Sequence, residues 1–550
     1  MAAQWGRHLA FCCPFLAVLI LIPLLLIFFS WLEPEWNLWR HVADTQLREL
    51  FLNTAILVVG VGAGTLVLGV GLAWLTAMCE FPGRRLFDWA LMLPLAVPTY
   101  VLAFVFVGLF DYAGPVQSWM RSVLGPDAGL PPIRSAGGVV FVMTLVLYPY
   151  VYMLTRAAFL RQGRVPMEAA RMQGLTAWQA FFRVTLPMAR PAIVAGVSLA
   201  LMEALADFGA VAVFNFNTFT VAIYRAWFSY FSMPLAAQLA SLLLILVVVA
   251  LVLERLARGK AKFFQNTGRG LSDRIRLHGG RAWAATAVAG LVLALGFILP
   301  LLQLVFWAIS SGDVVDARFW SLLLRTVTLG AIAAVVVVAL ALLLAYAKRL
   351  RPDWFTRKAV FAATLGYALP GSVLAVGIML TFAWVDRGIA AVLMPIAPDI
   401  YGPWLSGSVV ALIFAYVTRF MAVGFGAVDS ALEQVRPSLA EAAHSLGASH
   451  FEVVRRVYIP MLSPGLLTGA LLVCVDVMKE MPATLLLRPF GWDTLAVRIF
   501  EFTSEGEWER AALPAVVLVL AGLLPVILLV TRSAAPTSKR TLPTDAGAPS

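Results

Sequence analysis

Residues 168–191 read EAARMQGLTAWQAFFRVTLPMARP, and residues 441–464 read EAAHSLGASHFEVVRRVYIPMLSP. The two align without a gap. They share Glu168/Glu441, Ala169/Ala442, Ala170/Ala443, Gly174/Gly447, Pro187/Pro460 and Pro191/Pro464. Each copy is a polar break in an otherwise apolar chain. A polar, helix-capable segment that occurs twice in a doubled membrane protein reads most simply as a doubled docking site.

Working outward, the surroundings of both copies are membrane-like. The 550 residues are 61% hydrophobic and only 13% charged, whereas soluble chains carry about a quarter charged residues. Apolar runs long enough to cross a bilayer as helices number about twelve, at 11–31, 51–78, 89–110, 138–158, 191–213, 236–254, 283–309, 324–347, 359–384, 405–427, 464–487 and 511–531. The repeat extends beyond the quoted stretches, with Thr54 matching Thr326, Pro98 matching Pro370, and Val101-Leu102-Ala103 matching Val373-Leu374-Ala375. The repeating unit therefore holds about six spans. An even number makes the two units parallel in the membrane. The expected fold is an all-α polytopic membrane protein with about twelve transmembrane helices in two parallel six-helix halves. Its divisions are a first helix and outer loop (1–48), a first domain (49–254), a basic linker (255–282), a seventh helix and outer loop (283–320), a second domain (321–531) and a disordered tail (532–550).

The formal charge of +11 is a topology signal and not a nucleic-acid footprint. Arg and Lys gather in alternate segments: Arg84, Arg85, Arg161 and Arg164, then Arg255 to Arg281, then Lys348 to Lys358, then Arg455 and Arg456. The intervening loops carry Glu33, Glu35, Asp44, Asp313, Asp316, Glu501, Glu505 and Glu507. By the positive-inside rule both termini and both repeated segments are cytoplasmic. The linker, with Gly268, Gly270, Gly279 and Gly280, reads as a mobile tether. Cys12, Cys13, Cys79 and Cys474 read as packing residues, and the five His residues show no metal or catalytic spacing.

Each repeated segment reads as two short helices around a glycine. Ser438 stands three before Glu441 in a capping-box arrangement, and Pro166 suits a first helical turn. Gly174 and Gly447 end the first helix in a left-handed conformation. Thr176 with Gln179 and Ser449 with Glu452 restart it through capping boxes. Pro187 and Pro460 limit the second helix, and Pro191 and Pro464 open the next span.

This pattern of Glu-Ala-Ala, Gly and a distal Pro resembles the EAA motif of ABC importer permeases of the transmembrane type-1 class, which work with a solute-binding protein. The resemblance covers nearly the whole chain. It implies that Glu168, Ala169, Ala170, Gly174 and Pro187, and Glu441, Ala442, Ala443, Gly447 and Pro460, couple to ATPase subunits. A fused permease of this kind would engage two such subunits, with a solute-binding protein on the outer face of a bacterial inner membrane. The chain has no G-x-x-x-x-G-K-[ST] phosphate loop. It is therefore expected to be a transporter permease and not an enzyme, and to bind no cofactor itself. ATP and Mg²⁺ belong on the partner. Lipid is its other contact; nucleic acid is not.

The substrate signal lies just beyond each repeated segment. Glu203 and Asp207 pair with Asp476 and Glu480 at the same offset. Each pair is spaced i, i+4 and so lies on one helix face, with Lys479 beside the second. A carboxylate at the bilayer centre costs roughly 2.5–3.5 kcal/mol and usually faces a bundle interior or water. The five residues are candidates to line a substrate path; a structural role among themselves is the alternative. KEMPATLLLRPFGWDTLAVRIF (479–500), LADFGAVAVFNFNTFTVAIYRAW (205–227) and FDYAGPVQ (110–117) resemble the iron(III) branch of the class. Thiamine, polyamine or phosphonate permeases are the alternatives within it, and a secondary transporter of two six-helix halves is the alternative outside it.

Overall fold

A backbone removed from water must satisfy its hydrogen bonds within each segment, so the apolar runs become helices. The computed structural model describes residues 2–258, 274–311, 316–393 and 403–534. Among these, 11 helices are long and apolar enough to cross a membrane, from Leu47–Met78 to Trp508–Leu528. A shorter apolar stretch, Cys13–Phe29, precedes them within the helix Ala2–Phe29. Six such segments come before the linker and six after it. The protein is all-α in two parallel halves, as the repeat led us to expect.

Prolines decide where these runs bend. The expected spans 89–110 and 359–384 are not single helices. The first is Arg84–Ala90, a 3-10 turn at Leu93–Ala96, then Thr99–Phe110. The other is Trp354–Ala363, a 3-10 turn at Leu365–Ala368, then Gly371–Leu393. Pro98 and Pro370 stand immediately before the last piece in each case. They donate no backbone hydrogen bond and clash with the preceding turn, so the chain breaks in the same place twice. A second break also recurs. Leu186–Ala206 stops at Asp207 and restarts as Gly209–Val213, while Ile459–Lys479 stops at Glu480 and restarts as Pro482–Leu487. Irregular backbone at membrane depth is tolerated where it is buried in protein or lines a cavity.

The halves exchange their first spans. Cys13, Ala17 and Ile20 share a core with Leu374, Ala375 and Ile378 of the second half. Reciprocally, Leu304 and Trp307 share a core with Phe104 and Val107 of the first half. Phe104 stacks against both Trp307 and Trp508, each at 6.3 Å between ring centroids. Aromatic pairs of this kind add to area burial, and here they fasten one half to the other.

The linker departs from expectation at its far end. Residues 259–273 lie outside the described residues, as do Asp313 and the tail from 535 onward. Ile275–Arg276, however, is a short strand paired in parallel with Cys79–Glu80. Leu277 N–H donates to the Glu80 carbonyl at 3.1 Å. Arg274 reaches Glu80 at 3.6 Å and the Ala77 carbonyl at 3.3 Å. This end is a docked clip, not a tether, because backbone pairing and an ion pair both hold it.

Candidate functional site

Each repeated segment folds as an elbow of two short helices around a glycine turn. In the first, Val165–Met172 begins with Pro166 in its first turn. Arg164 pairs with Glu168 at 3.1 Å. Gly174 has φ +88° and Gly447 φ +85°. Both turns close with the same bonds: Leu175 N–H to Ala170 O and Gly174 N–H to Arg171 O, then Ala448 N–H to Ala443 O and Gly447 N–H to His444 O. These are Schellman motifs, which need a residue free to adopt the left-handed conformation. The capping boxes of Thr176 with Gln179 and Ser449 with Glu452 are both formed.

Three expectations fail here. Ser438 caps nothing. Pro437 starts the second elbow helix, Pro437–Ser445, two residues before the start that a Ser438 cap would set, and its N-cap is Arg436. Pro191 and Pro464 do not open a span but lie inside the helices Leu186–Ala206 and Ile459–Lys479. Nor do Pro187 and Pro460 end a helix. The chain runs from Ala177–Ala180 through a π turn at Phe181–Thr185 into Leu186–Ala206. The second half does the same, from His450–Val453 through Val454–Tyr458 into Ile459–Lys479. One wider turn before each proline absorbs its ring and its missing donor without stopping the helix.

The elbows expose apolar side chains that sequence reading passed over. Trp178 and its counterpart Phe451 are 72% and 58% exposed, one residue inside each capping box. Met172 and Leu446 are also largely exposed. The supports differ. Met167, Ala170 and Ala180 of the first elbow form a small core with Trp74 and with Ile275 of the linker clip. The second elbow helix has no fully buried residue.

Far along the same helices lies a cavity of about 170 Å³, roomy enough for several waters. It gathers all five sequence candidates: Glu203, Asp207, Asp476, Lys479 and Glu480. Its lining repeats across the halves, with Val146 opposite Arg419, Leu147 opposite Phe420, and Ala206 opposite Lys479. The cavity is thus built from matching positions of the two halves. The carboxylates are symmetric, while the two cations come from the second half alone.

Two carboxylates are hydrogen-bonded at the helix breaks. Asp207 accepts from Thr99 Oγ1, from Ala210 N–H at 2.9 Å and from Val211 N–H at 3.3 Å. Glu480 accepts from Ala483 N–H at 3.0 Å and pairs with Arg419 at 3.1 Å. The Lys479 ammonium donates to the Leu95 carbonyl at 3.2 Å. Tyr367 faces Glu203, and Tyr150 lies beside Glu203 and Asp476. Arg419, Tyr150 and Tyr367 escaped the sequence reading. A clue existed for Arg419, since an arginine within a span is costly unless it is paired. No group of three or more His, Cys, Asp or Glu side chains converges tightly enough to hold a metal among the described residues.

The sequence is similar to those of known proteins. Residues 65–262 and 338–535 each match the family described as binding-protein-dependent transport system inner membrane component. Over 537 residues the chain is 26% identical to the Fe(3+)-transport system permease protein FbpB 2 of Haemophilus influenzae, covering 95% of this chain and 98% of that protein. A stretch of 199 residues is 33% identical to the sulfate transport system permease protein CysW of Escherichia coli, covering 36% of this chain and 66% of that one. Another, of 207 residues, is 28% identical to the sulfate permease protein CysT of Escherichia coli, covering 38% and 72%. Each family match contains one elbow and one pair of cavity carboxylates, and together they span most of the sequence: the chain belongs to the binding-protein-dependent transport system inner membrane component family.

Proposed function

We propose that this chain is the fused permease of an ATP-driven importer for iron(III), with both elbows and both termini in the cytoplasm. Two ATPase subunits would dock on the elbows, where Trp178 and Phe451 offer exposed aromatic anchors of the kind that dominates interface energies. A solute-binding protein would deliver the ion at the opposite face. Closure of the ATPase pair on ATP would draw the elbows together and favour the outward-open arrangement through its differential contacts with that state.

The observation that carries the choice of ion is charge. The cavity holds four carboxylates against Arg419 and Lys479, and hard cations favour oxygen ligands. The end-to-end likeness to an Fe(3+) permease agrees with this. Sulfate is the second reading, favoured by the likeness of one half to sulfate permeases and by the two cations. An oxyanion beside four carboxylates meets like-charge repulsion, so iron(III) is preferred.

The test is reconstitution of the permease with its ATPase in liposomes, with the cognate binding protein supplied. Iron(III) should stimulate ATP hydrolysis and accumulate inside. Stimulation by sulfate, thiamine, a polyamine or a phosphonate, with none by iron(III), overturns the choice of ion. Uptake without ATP hydrolysis overturns the importer class.

A further inference from the structure

We propose that the four cavity carboxylates divide into two sets: Glu203 and Asp476, with the phenol oxygens of Tyr150 and Tyr367, form a transit site for a hard trivalent cation, while Asp207 and Glu480 hold the helix breaks. The proposal rests on the iron(III) reading above and assigns that ion its contacts.

Hydrogen bonding makes the division. The oxygens of Asp207 are engaged by Thr99 and two backbone N–H groups. Those of Glu480 are engaged by one backbone N–H and the Arg419 guanidinium. Both residues do the same structural work at the same place in each half: they satisfy the first N–H groups of Gly209–Val213 and Pro482–Leu487, which would otherwise be orphaned in the membrane. Their removal breaks a cap. Glu203 and Asp476 have no such duty. They lie one turn earlier on their helices and line the cavity; Glu203 is hydrogen-bonded to Tyr367, a second member of the same set, and not to a helix end.

The second set is also balanced between the halves. Glu203 and Tyr150 come from the first, Asp476 and Tyr367 from the second, and the four lie close enough for their charges to interact. An independent sign of an unmet ligand lies in the same cavity. Tyr100 is 6% exposed, lines the cavity, and its hydroxyl has no hydrogen-bond partner. An orphaned buried hydroxyl calls for an explanation such as an ion or its water.

Carboxylate and phenol oxygens suit a hard cation. Two carboxylates with two neutral phenols suit passage, because a conducting site must bind well enough to admit the ion and weakly enough to release it. Lys479 and Arg419 flank the site and limit its affinity by like-charge repulsion.

The experiment is iron(III) uptake by the full permease–ATPase assembly in liposomes with its binding protein, read together with ATP hydrolysis and melting temperature. E203Q and D476N should each lower uptake about tenfold or more, since each removes a unit charge at close range in a low-dielectric site. Binding-protein-stimulated hydrolysis and melting temperature should stay near wild type, so that ATP is spent without ion movement. Y150F and Y367F, which keep the ring, should lower uptake less and in the same sense. D207N should lower the melting temperature, as the loss of hydrogen bonds at a helix break requires. Wild-type uptake in the E203Q/D476N double variant, with iron(III) transported by the parent, overturns this proposal and leaves the iron(III) reading standing. So does selective loss of uptake in a fully stable D207N. A parent that moves sulfate and not iron(III) overturns both.

Discussion

Replacing Gly174 and Gly447 together with alanine should release the ATPase while leaving the permease folded. Both glycines sit in the left-handed region, where an L-residue costs roughly 1–2 kcal/mol. No atom lies within 4 Å of a Cβ added at either position, so the cost is purely conformational and falls on the Schellman turn. That turn sets the angle between the Ala-rich helix and the capping-box helix. Its loss should reduce the population of the docking geometry by a factor of roughly 5–30 at each elbow. The elbows do not share partners, so the two penalties should add. The global melting temperature should hardly move, because the turns are exposed and open locally. The assay is retention of ATPase on immobilised permease, paired with ATP-driven uptake. Gly491, with φ +79° and nothing within 4 Å of its Cβ position, is the matched control beyond the second helix break. Gly491→Ala should bear the same backbone cost without loss of ATPase. Full retention and uptake in the Gly174→Ala/Gly447→Ala variant refutes the coupling role. An equal loss with Gly491→Ala refutes the argument that the effect is local.

Other perturbations have equally definite outcomes. Arg419→Leu should destabilise the assembled protein by roughly 3–5 kcal/mol, because it leaves Glu480 buried without its ion-pair partner; thermal melting of Arg419→Leu/Glu480→Gln, whose neutral amide oxygen can still accept from Ala483 N–H, should recover most of that loss. Ile275→Ala should loosen the first elbow by about 1 kcal/mol and raise ATP hydrolysis in the absence of binding protein, whereas the second elbow, which lacks the clip, should dock normally; an unchanged basal rate denies the clip any role in coupling. At Glu501, burial would raise the pKa, but hydrogen bonds from Arg498 and Arg488 outweigh it and hold the carboxyl below its ordinary value of 4.5. Its folded-state pKa is depressed, so the stability it adds is complete above about 4.5 and is lost as pH falls through the lowered value. Glu501→Gln should flatten acid melting in that window alone.

The elbows were legible because their rules are local. A capping box spans four residues and a C′ glycine only one, so both could be read off and both formed. The number of spans was legible for a similar reason, since hydropathy sums along the chain. What lay beyond reach was tertiary. Ser438 meets the capping pattern but loses to Pro437, which fixes the helix start two residues upstream of where that cap would put it. Pro187 and Pro460 look like stops because a proline breaks an α turn; a π turn is the other solution, and the local sequence does not distinguish the two. The five polar candidates were found from their spacing, but Arg419, Tyr150 and Tyr367 arrive from helices distant in sequence, and only assembly brings them to the cavity. The linker clip was missed because two residues of strand leave no periodic signal.

The π turns join the two candidate sites into one mechanical element. In each half a helix starts at the elbow's capping box, widens by one turn, and continues unbroken to the inner carboxylate: Ala177–Ala206 contains Glu203, and His450–Lys479 contains Asp476. From Gln179 to Glu203 is about 36 Å at 1.5 Å per residue. Had Pro187 and Pro460 ended these helices, a displacement of the elbow would be absorbed in a loop. Because they do not, a rotation at the elbow would be delivered at the cavity, and the equal spacing from Pro187 to Glu203 and from Pro460 to Asp476 would deliver it to both sides at the same height. The symmetric parts of the chain are therefore those that must move together: elbow, π turn and inner carboxylate. The asymmetric parts, Arg419 and Lys479 at the cavity and the clip at the first elbow, lie beside that continuous helix or at its very end, free to differ between the halves without interrupting it.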